Sequence, residues 1–189
     1  MASRVIGGNL ANNKKKLGFI HIPKCGGCSV ACYLHMFAQW DLVDFDKKTY
    51  AAEPYLKYTN YKLFTTIRHP VDWMLSGYKM YKQRRNYNLT FDQHVDAVTH
   101  TTNTLGVDWA WHCQILPNDH LKNFDVKIFK LEEISKLPEW LSQFFSNANE
   151  FVVPVTNATD IEHIEISKST MNKIKKYTGK YADRYEYEL

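Results

Sequence analysis

Two strand-to-helix junctions constrain this chain more than any other feature. The first begins with the apolar run Leu17 to Ile22, closes at Pro23 and continues as Lys24-Cys25-Gly26-Gly27-Cys28-Ser29. The second begins with Lys62 to Ile67 (KLFTTI) and continues as Arg68-His69-Pro70. A short apolar or β-branched run bounded by turn residues reads as a buried strand. After the first run, Val30, Leu34, Phe37 and Ala38 recur at helical spacing, and Ser29 is placed to cap that helix. After the second, Pro70 suits a first-turn position, and the spacing predicts a helix through Arg84.

Further elements follow the same alternation. Thr90-x-x-Gln93 is a capping box that opens a helix through about Val98. Asp125 to Leu131 reads as a third strand, followed by a helix over about 138–145. A last amphipathic helix spans Ser167 to about Lys180, with Met171, Ile174 and Tyr177 on one side. Strands alternating with helices predict an α/β fold, a mainly parallel sheet flanked by helices. Residues 1–16 are polar and read as a flexible N-terminal arm, leaving 17–189 as a single domain.

Composition narrows the function classes. Hydrophobic residues make up 44% of the chain, enough for a real core, so disorder is not expected. The net charge of +4 favours an anionic ligand, yet no Lys and Arg block argues for nucleic acid. No apolar run is long enough to span a membrane, and residues 1–10 lack the apolar core of a secretory signal. Three of the four Cys crowd into residues 25–32, which is no disulfide framework. The expected setting is therefore a reducing cytoplasm.

In such sheets ligands sit at the carboxyl ends of the strands, where both junctions fall. Gly26 and Gly27 let backbone approach an anion, the next helix adds its positive end, and Lys24 places a charge at the rim. The plain reading is a tight turn with an exposed Lys. A nucleoside triphosphate loop would need its Lys after the last Gly, followed by Ser or Thr; here Lys24 comes first. At the second junction Arg68 leaves its strand where its fork can grip a phosphate. His69, Asp72, Trp73 and Ser76 share a helix face, so Ser76 is placed to reach the same anion. An Arg before a helix is, taken alone, more often a surface residue. Cys25, Cys28, Cys32 and His35 have spacing close to that of a metal quartet. Because they cross the turn and the helix, no metal is expected, and a redox-sensitive thiol is the better reading.

Together the junctions resemble those of the sulfotransferase family, in particular its carbohydrate sulfotransferase branch. That family shows an Ile-Pro-Lys-Thr-Gly-Gly-Thr-Ser-like loop and an Arg-Asp-Pro…Ser helix. The resemblance continues in Trp111-His112-x-Gln114, Asp125-Val126 through Glu132, Val155-x-Asn157 and Tyr181-x-Asp183-x-x-x-Tyr187. It implies a P-loop-like sulfotransferase fold using 3′-phosphoadenosine 5′-phosphosulfate (PAPS) as sulfuryl donor, without metal. The acceptor would carry a hydroxyl, on a carbohydrate or small molecule. Lys24, Cys25, Gly26, Gly27, Cys28 and Ser29 would hold the 5′-phosphosulfate, and Arg68 and Ser76 the 3′-phosphate. Lys24 would also stabilise the leaving phosphate.

The chain departs from that pattern in places. Cys25 and Cys28 stand where Thr or Ser is usual, and a thiol is a weak donor. His69 replaces an Asp, and Trp73 an Arg. The resemblance places a general base near Glu53, with His112, Asp44 and His35 as alternatives. Each of these is, singly, more often a solvated polar residue. Two other classes remain open: a non-catalytic nucleotide-binding module and a small nucleotide kinase.

Overall fold

The computed structural model describes residues 9–42, 60–84, 87–99, 125–156 and 164–189. They fall into two compact units, one of residues 1–68 and 119–158, the other of 69–118 and 159–189.

The first unit is a sheet with helices. Its strands are β1 (Leu10–Asn12), β2 (Leu17–Ile20), β3 (Asp41–Leu42), β4 (Lys62–Ile67) and β5 (Val126–Lys130), ordered β3-β1-β2-β4-β5. β2, β4 and β5 are parallel, in the register Phe19↔Phe64 and Thr65↔Ile128. β1 pairs antiparallel with both β2 and β3, so an antiparallel edge extends the parallel core. The sheet belongs to an α/β fold, as the alternation predicts.

Residues 9–16 are not the loose arm that their polarity suggests. Leu10 and Ala11 are buried, and the Asn12 side-chain amide donates to the Gln39 carbonyl at 2.8 Å. The polar residues there serve a turn: the Asn12 side-chain oxygen accepts from the Lys15 amide at 2.9 Å. β2 stops at Ile20, two residues early, because the His21 amide is taken by the Asn9 side chain at 2.7 Å.

Helices α1 (Gly27–Phe37) and α4 (Lys136–Ser142) complete this unit. Leu17 and Phe19 of β2, Phe64 of β4 and Phe129 of β5 share one sheet face. They form one core with Val30, Tyr33 and Leu34 of α1 and Leu137 and Leu141 of α4. Each fully buried large side chain stabilises the fold by about 1.5–3 kcal/mol. Ile20, Leu63 and Ile67, on the opposite face, are buried as well. Burial on both faces explains why these parallel strands read as nearly continuous apolar runs.

The second unit is helical: α2 (Pro70–Arg84), α3 (Phe91–Thr99) and α5 (Lys168–Arg184). The predicted capping box opens α3, with Thr90 N donating to Gln93 Oε1 at 2.9 Å and Gln93 N to Thr90 Oγ1 at 3.3 Å. Ser167 caps α5 by accepting from the Thr170 amide at 3.1 Å. α5 buries Thr170, Ile174, Thr178 and Tyr181, while Met171 and Tyr177 lie at the edge of that stripe. Thr170 donates to the Asp92 carboxylate and Lys173 to that of Asp96, fastening α5 to α3.

Candidate functional site

The segment after β2 is a backbone-defined turn. The Cys25 amide donates to the Ile22 carbonyl at 3.3 Å, closing the turn that Pro23 begins. Lys24 and Gly26 both take left-handed backbone, at φ 67° and 76°. Left-handed geometry suits Gly but costs a residue with a Cβ roughly 1–2 kcal/mol, so Lys24 is held against its preference. Gly26 is also the N-terminal cap of α1, and its carbonyl accepts from Val30 N at 3.1 Å.

Thr66 of β4 and Arg68 just beyond that strand hold the other side of this turn. Thr66 Oγ1 donates to the Cys25 carbonyl at 2.6 Å, and Arg68 Nη1 to the Lys24 carbonyl at 3.5 Å. A peptide's N–H points opposite its C=O, so drawing the Cys25 carbonyl to Thr66 turns the Gly26 amide away from it. The first-turn amides of α1 have no acceptor within the helix. Amides, the helix's positive end, Lys24 and Arg68 thus gather at the carboxyl ends of two adjacent parallel strands, all within the first unit.

Each glycine has a packing reason that the sequence did not reveal. A Cβ on Gly26 would lie 2.5 Å from Leu131 Cδ1, in the 3₁₀ turn Leu131–Glu133 that follows β5. A Cβ on Gly27 would lie 1.7 Å from Cδ2 and 2.1 Å from Nε2 of the His21 ring. Two neighbours therefore press on the loop, and only Gly admits them.

Ser29 behaves differently from expectation. Its hydroxyl does not cap α1, because the capping position belongs to Gly26. Ser29 Oγ instead accepts from the Thr156 amide at 3.1 Å and shares a hydrogen bond with Thr156 Oγ1, also at 3.1 Å. Thr156 is the unnamed middle residue of Val155-x-Asn157, so the motif marked the neighbourhood and missed the contact.

The three described cysteines are free thiols in different settings. Cys25 is buried; burial pushes its thiol up to about 12, although Arg68 and Lys24 pull it down. It is an uncharged structural group in neutral solution, inert as a nucleophile. Cys28 and Cys32 are partly exposed on α1 one turn apart, and burial followed by the charge of Cys28 raises the Cys32 pKa. Among the described residues no three His, Cys, Asp or Glu side chains converge as a metal-binding set.

Ser76 is half-buried in α2 of the second unit, whereas Arg68 closes the first. His69 and Trp73, on the same helix face, serve the helical unit. Trp73 is buried and its amide donates to the His69 carbonyl at 2.9 Å. The His69 Nε2 bonds the Glu188 carbonyl at 2.9 Å, and its ring meets that of Tyr187 edge-on at 5.4 Å. His35 is exposed on α1. Glu53, Asp44 and His112 lie outside the described residues.

No protein-family model matches this chain, and no curated protein matches it in sequence. Among solved structures, a sulfotransferase from Alicyclobacillus acidocaldarius is similar to it at 17% sequence identity with a TM-score of 0.48. The aligned region covers 73% of this chain and 60% of that one, so the chain spans about three fifths of its neighbour's length. No helix among the described residues is long and apolar enough to cross a membrane.

Proposed function

We propose that this chain is a sulfotransferase that moves a sulfuryl group from PAPS to an acceptor hydroxyl on a carbohydrate or small molecule. The observation that carries the reading is the Pro23–Ser29 turn at the end of β2, tied through Thr66 and Arg68 to the end of β4. That joint supplies amides and two cations where an α/β sheet offers its ligand site. The motif order along the sequence supplies the reaction class.

In this reading Lys24 and the amides of Gly26 to Ser29 hold the 5′-phosphosulfate, with Cys28 adding only a weak thiol contact while the buried Cys25 shapes the turn. Arg68 holds the 3′-phosphate. The acceptor oxygen bonds to sulfur while the bond from sulfur to the 5′-phosphate oxygen breaks, leaving its electron pair on that oxygen. Lys24 stabilises the charge gathering there, and Glu53 takes the acceptor's proton. The sulfuryl group carries less charge than a phosphoryl group, so positioning and electrostatics serve without a metal ion.

The test is calorimetric titration with PAP, the desulfated nucleotide, in metal-free buffer. Lys24→Ala and Arg68→Ala should each weaken binding by about 10- to 150-fold, the worth of a charged hydrogen bond. Glu53→Gln should leave PAP binding intact while turnover falls about 10²–10⁴-fold. Unchanged PAP titrations in both cation variants would remove the assignment. Turnover of ATP with Mg²⁺ would point to a kinase instead, and PAP binding without sulfuryl transfer to any acceptor would leave a nucleotide-binding module.

A further inference from the structure

His21 lies inside the apolar run of Leu17 to Ile22, where it reads as one more strand residue. In the fold it has left the strand. β2 ends at Ile20, and the His21 amide donates to the side-chain oxygen of the buried Asn9 at 2.7 Å. The half-buried imidazole stacks on Phe19, with ring centroids 6.3 Å apart and planes 22° from parallel. Backbone and ring are both fixed, and both anchors belong to the first unit.

One edge of that ring faces the start of α1. Nδ1 is buried on the ring's far side. Cδ2 and Nε2 stand where a Cβ on Gly27 would be, 1.7 and 2.1 Å from it. Gly27 is the first residue of α1. In a helix the Cβ direction tilts toward the N-terminus. A group in that place therefore stands at the N-terminal end of α1, on the side toward which the first-turn amides point. Gly26 supplies no side-chain cap to α1, and the first turn holds no acid. Nε2 shares a rim with those amides.

Packing alone does not call for a histidine here. Stacking on Phe19 and covering Gly27 need a flat ring, which Phe would supply with more apolar surface. What imidazole adds is a nitrogen at the loop, fixed before any ligand arrives. A donor already held in place loses little freedom when it bonds an anion.

We infer that His21 is a contact residue of the proposed donor site, its Nε2 donating to an oxygen of the nucleotide's 5′-phosphate beside the first-turn amides of α1. The inference rests on the PAPS reading above and adds a residue to it. His21 supplies the strong side-chain donor that the thiols of this loop do not.

The test is calorimetric titration of the full chain and its variants with PAP and with adenosine 3′-monophosphate, which lacks the 5′-phosphate. His21→Phe keeps a stacked ring without a donor. It should lose PAP affinity about tenfold or more, the worth of a hydrogen bond to a charged group, at an unchanged urea midpoint. Its affinity for adenosine 3′-monophosphate should match the parent. His21→Gln keeps an N–H donor without the ring, and its PAP affinity should lie within about threefold of the parent. Both variants alter packing at the loop, so the parent supplies a further measurement. The imidazole nitrogen signal that His21→Gln lacks should shift in ¹⁵N spectra when PAP is added. Parent-like PAP binding by His21→Phe would overturn the contact and leave the sulfotransferase reading intact. So would equal losses for the two nucleotides, His21→Gln as weak as His21→Phe, or an imidazole signal indifferent to PAP. A parent that binds no PAP would remove that reading, and the contact with it.

Discussion

The two units are held at their decisive places by different means. Around the β2–α1 turn, tightness comes from backbone: a left-handed Lys24 and Gly26, and glycines pressed by Leu131 and His21. In the helical unit it comes from polar side-chain ties, Thr170 to Asp92, Lys173 to Asp96 and Tyr87 to His94. Backbone constraint is strict about residue type at positions such as Lys24 and Gly26. Side-chain constraint is tolerant of backbone and responds to pH. The same kind of substitution should therefore have opposite consequences in the two places.

The largest effect belongs to Gly27→Ala. Its new methyl would meet three atoms of the His21 ring within 2.8 Å, and that ring is itself stacked on Phe19. To make room the whole ring must leave its stacking on Phe19, so the loss should be about 3 kcal/mol, seen as a fall in urea midpoint. Gly26→Ala meets mainly one terminal methyl of Leu131, which can rotate, and should cost less, about 1–2 kcal/mol for the left-handed backbone. The double variant His21→Ala/Gly27→Ala should recover much of the Gly27→Ala loss. If it recovers nothing, close approach of His21 is not what this position guards.

Next comes pH, which should act on the helical unit. His94 is buried among Tyr78, Tyr81, Tyr87 and Phe91, and its Nδ1 shares a hydrogen bond with Tyr87 Oη at 2.7 Å. Burial pulls its pKa down to about 4, from 6.5 in an unfolded chain. The unfolded state then binds the extra proton between those values. Stability from this group is complete above pH 6.5 and is lost as pH falls toward 4, by up to about 3 kcal/mol. Urea midpoints from pH 7 to 4.5 should show this slope, and His94→Gln should flatten it by roughly one proton. An unchanged slope in His94→Gln would assign the acid sensitivity to other groups.

The same contrast explains what the sequence could disclose. Gly26-Gly27, Pro23, Pro70 and the Thr90-x-x-Gln93 box act through backbone geometry, which residue type largely dictates, so the three parallel strands and the starts of α2 and α3 were legible. β1 was missed because Asn12 and the Asn9 just before it belong to a polar stretch, while their side chains bond backbone farther along the chain. Thr156 was missed because it meets Ser29 across 127 positions of sequence, and no local pattern marks such a pair. The cap assigned to Ser29 failed for a related reason: Gly26 already occupied the position, and a left-handed Gly leaves no trace in a propensity scale. The fold was legible in its local geometry; the ties between distant side chains were not.

The smallest expected effect has the opposite sign. Gly179 lies well inside α5, where Gly is less favourable than Ala by about 1 kcal/mol because it must surrender more backbone freedom. Unlike Gly27, it has nothing within 4 Å of an added Cβ, so no clash offsets the gain. Gly179→Ala should therefore stabilise the protein by about 0.5–1 kcal/mol, raising the melting temperature by roughly 2 °C for a chain of this size. A scanning calorimeter resolves that shift. If Gly179→Ala lowers the melting temperature instead, the position is conformationally constrained as Gly26 is, and the contrast between a loop that demands glycine and a helix that merely contains one would fail.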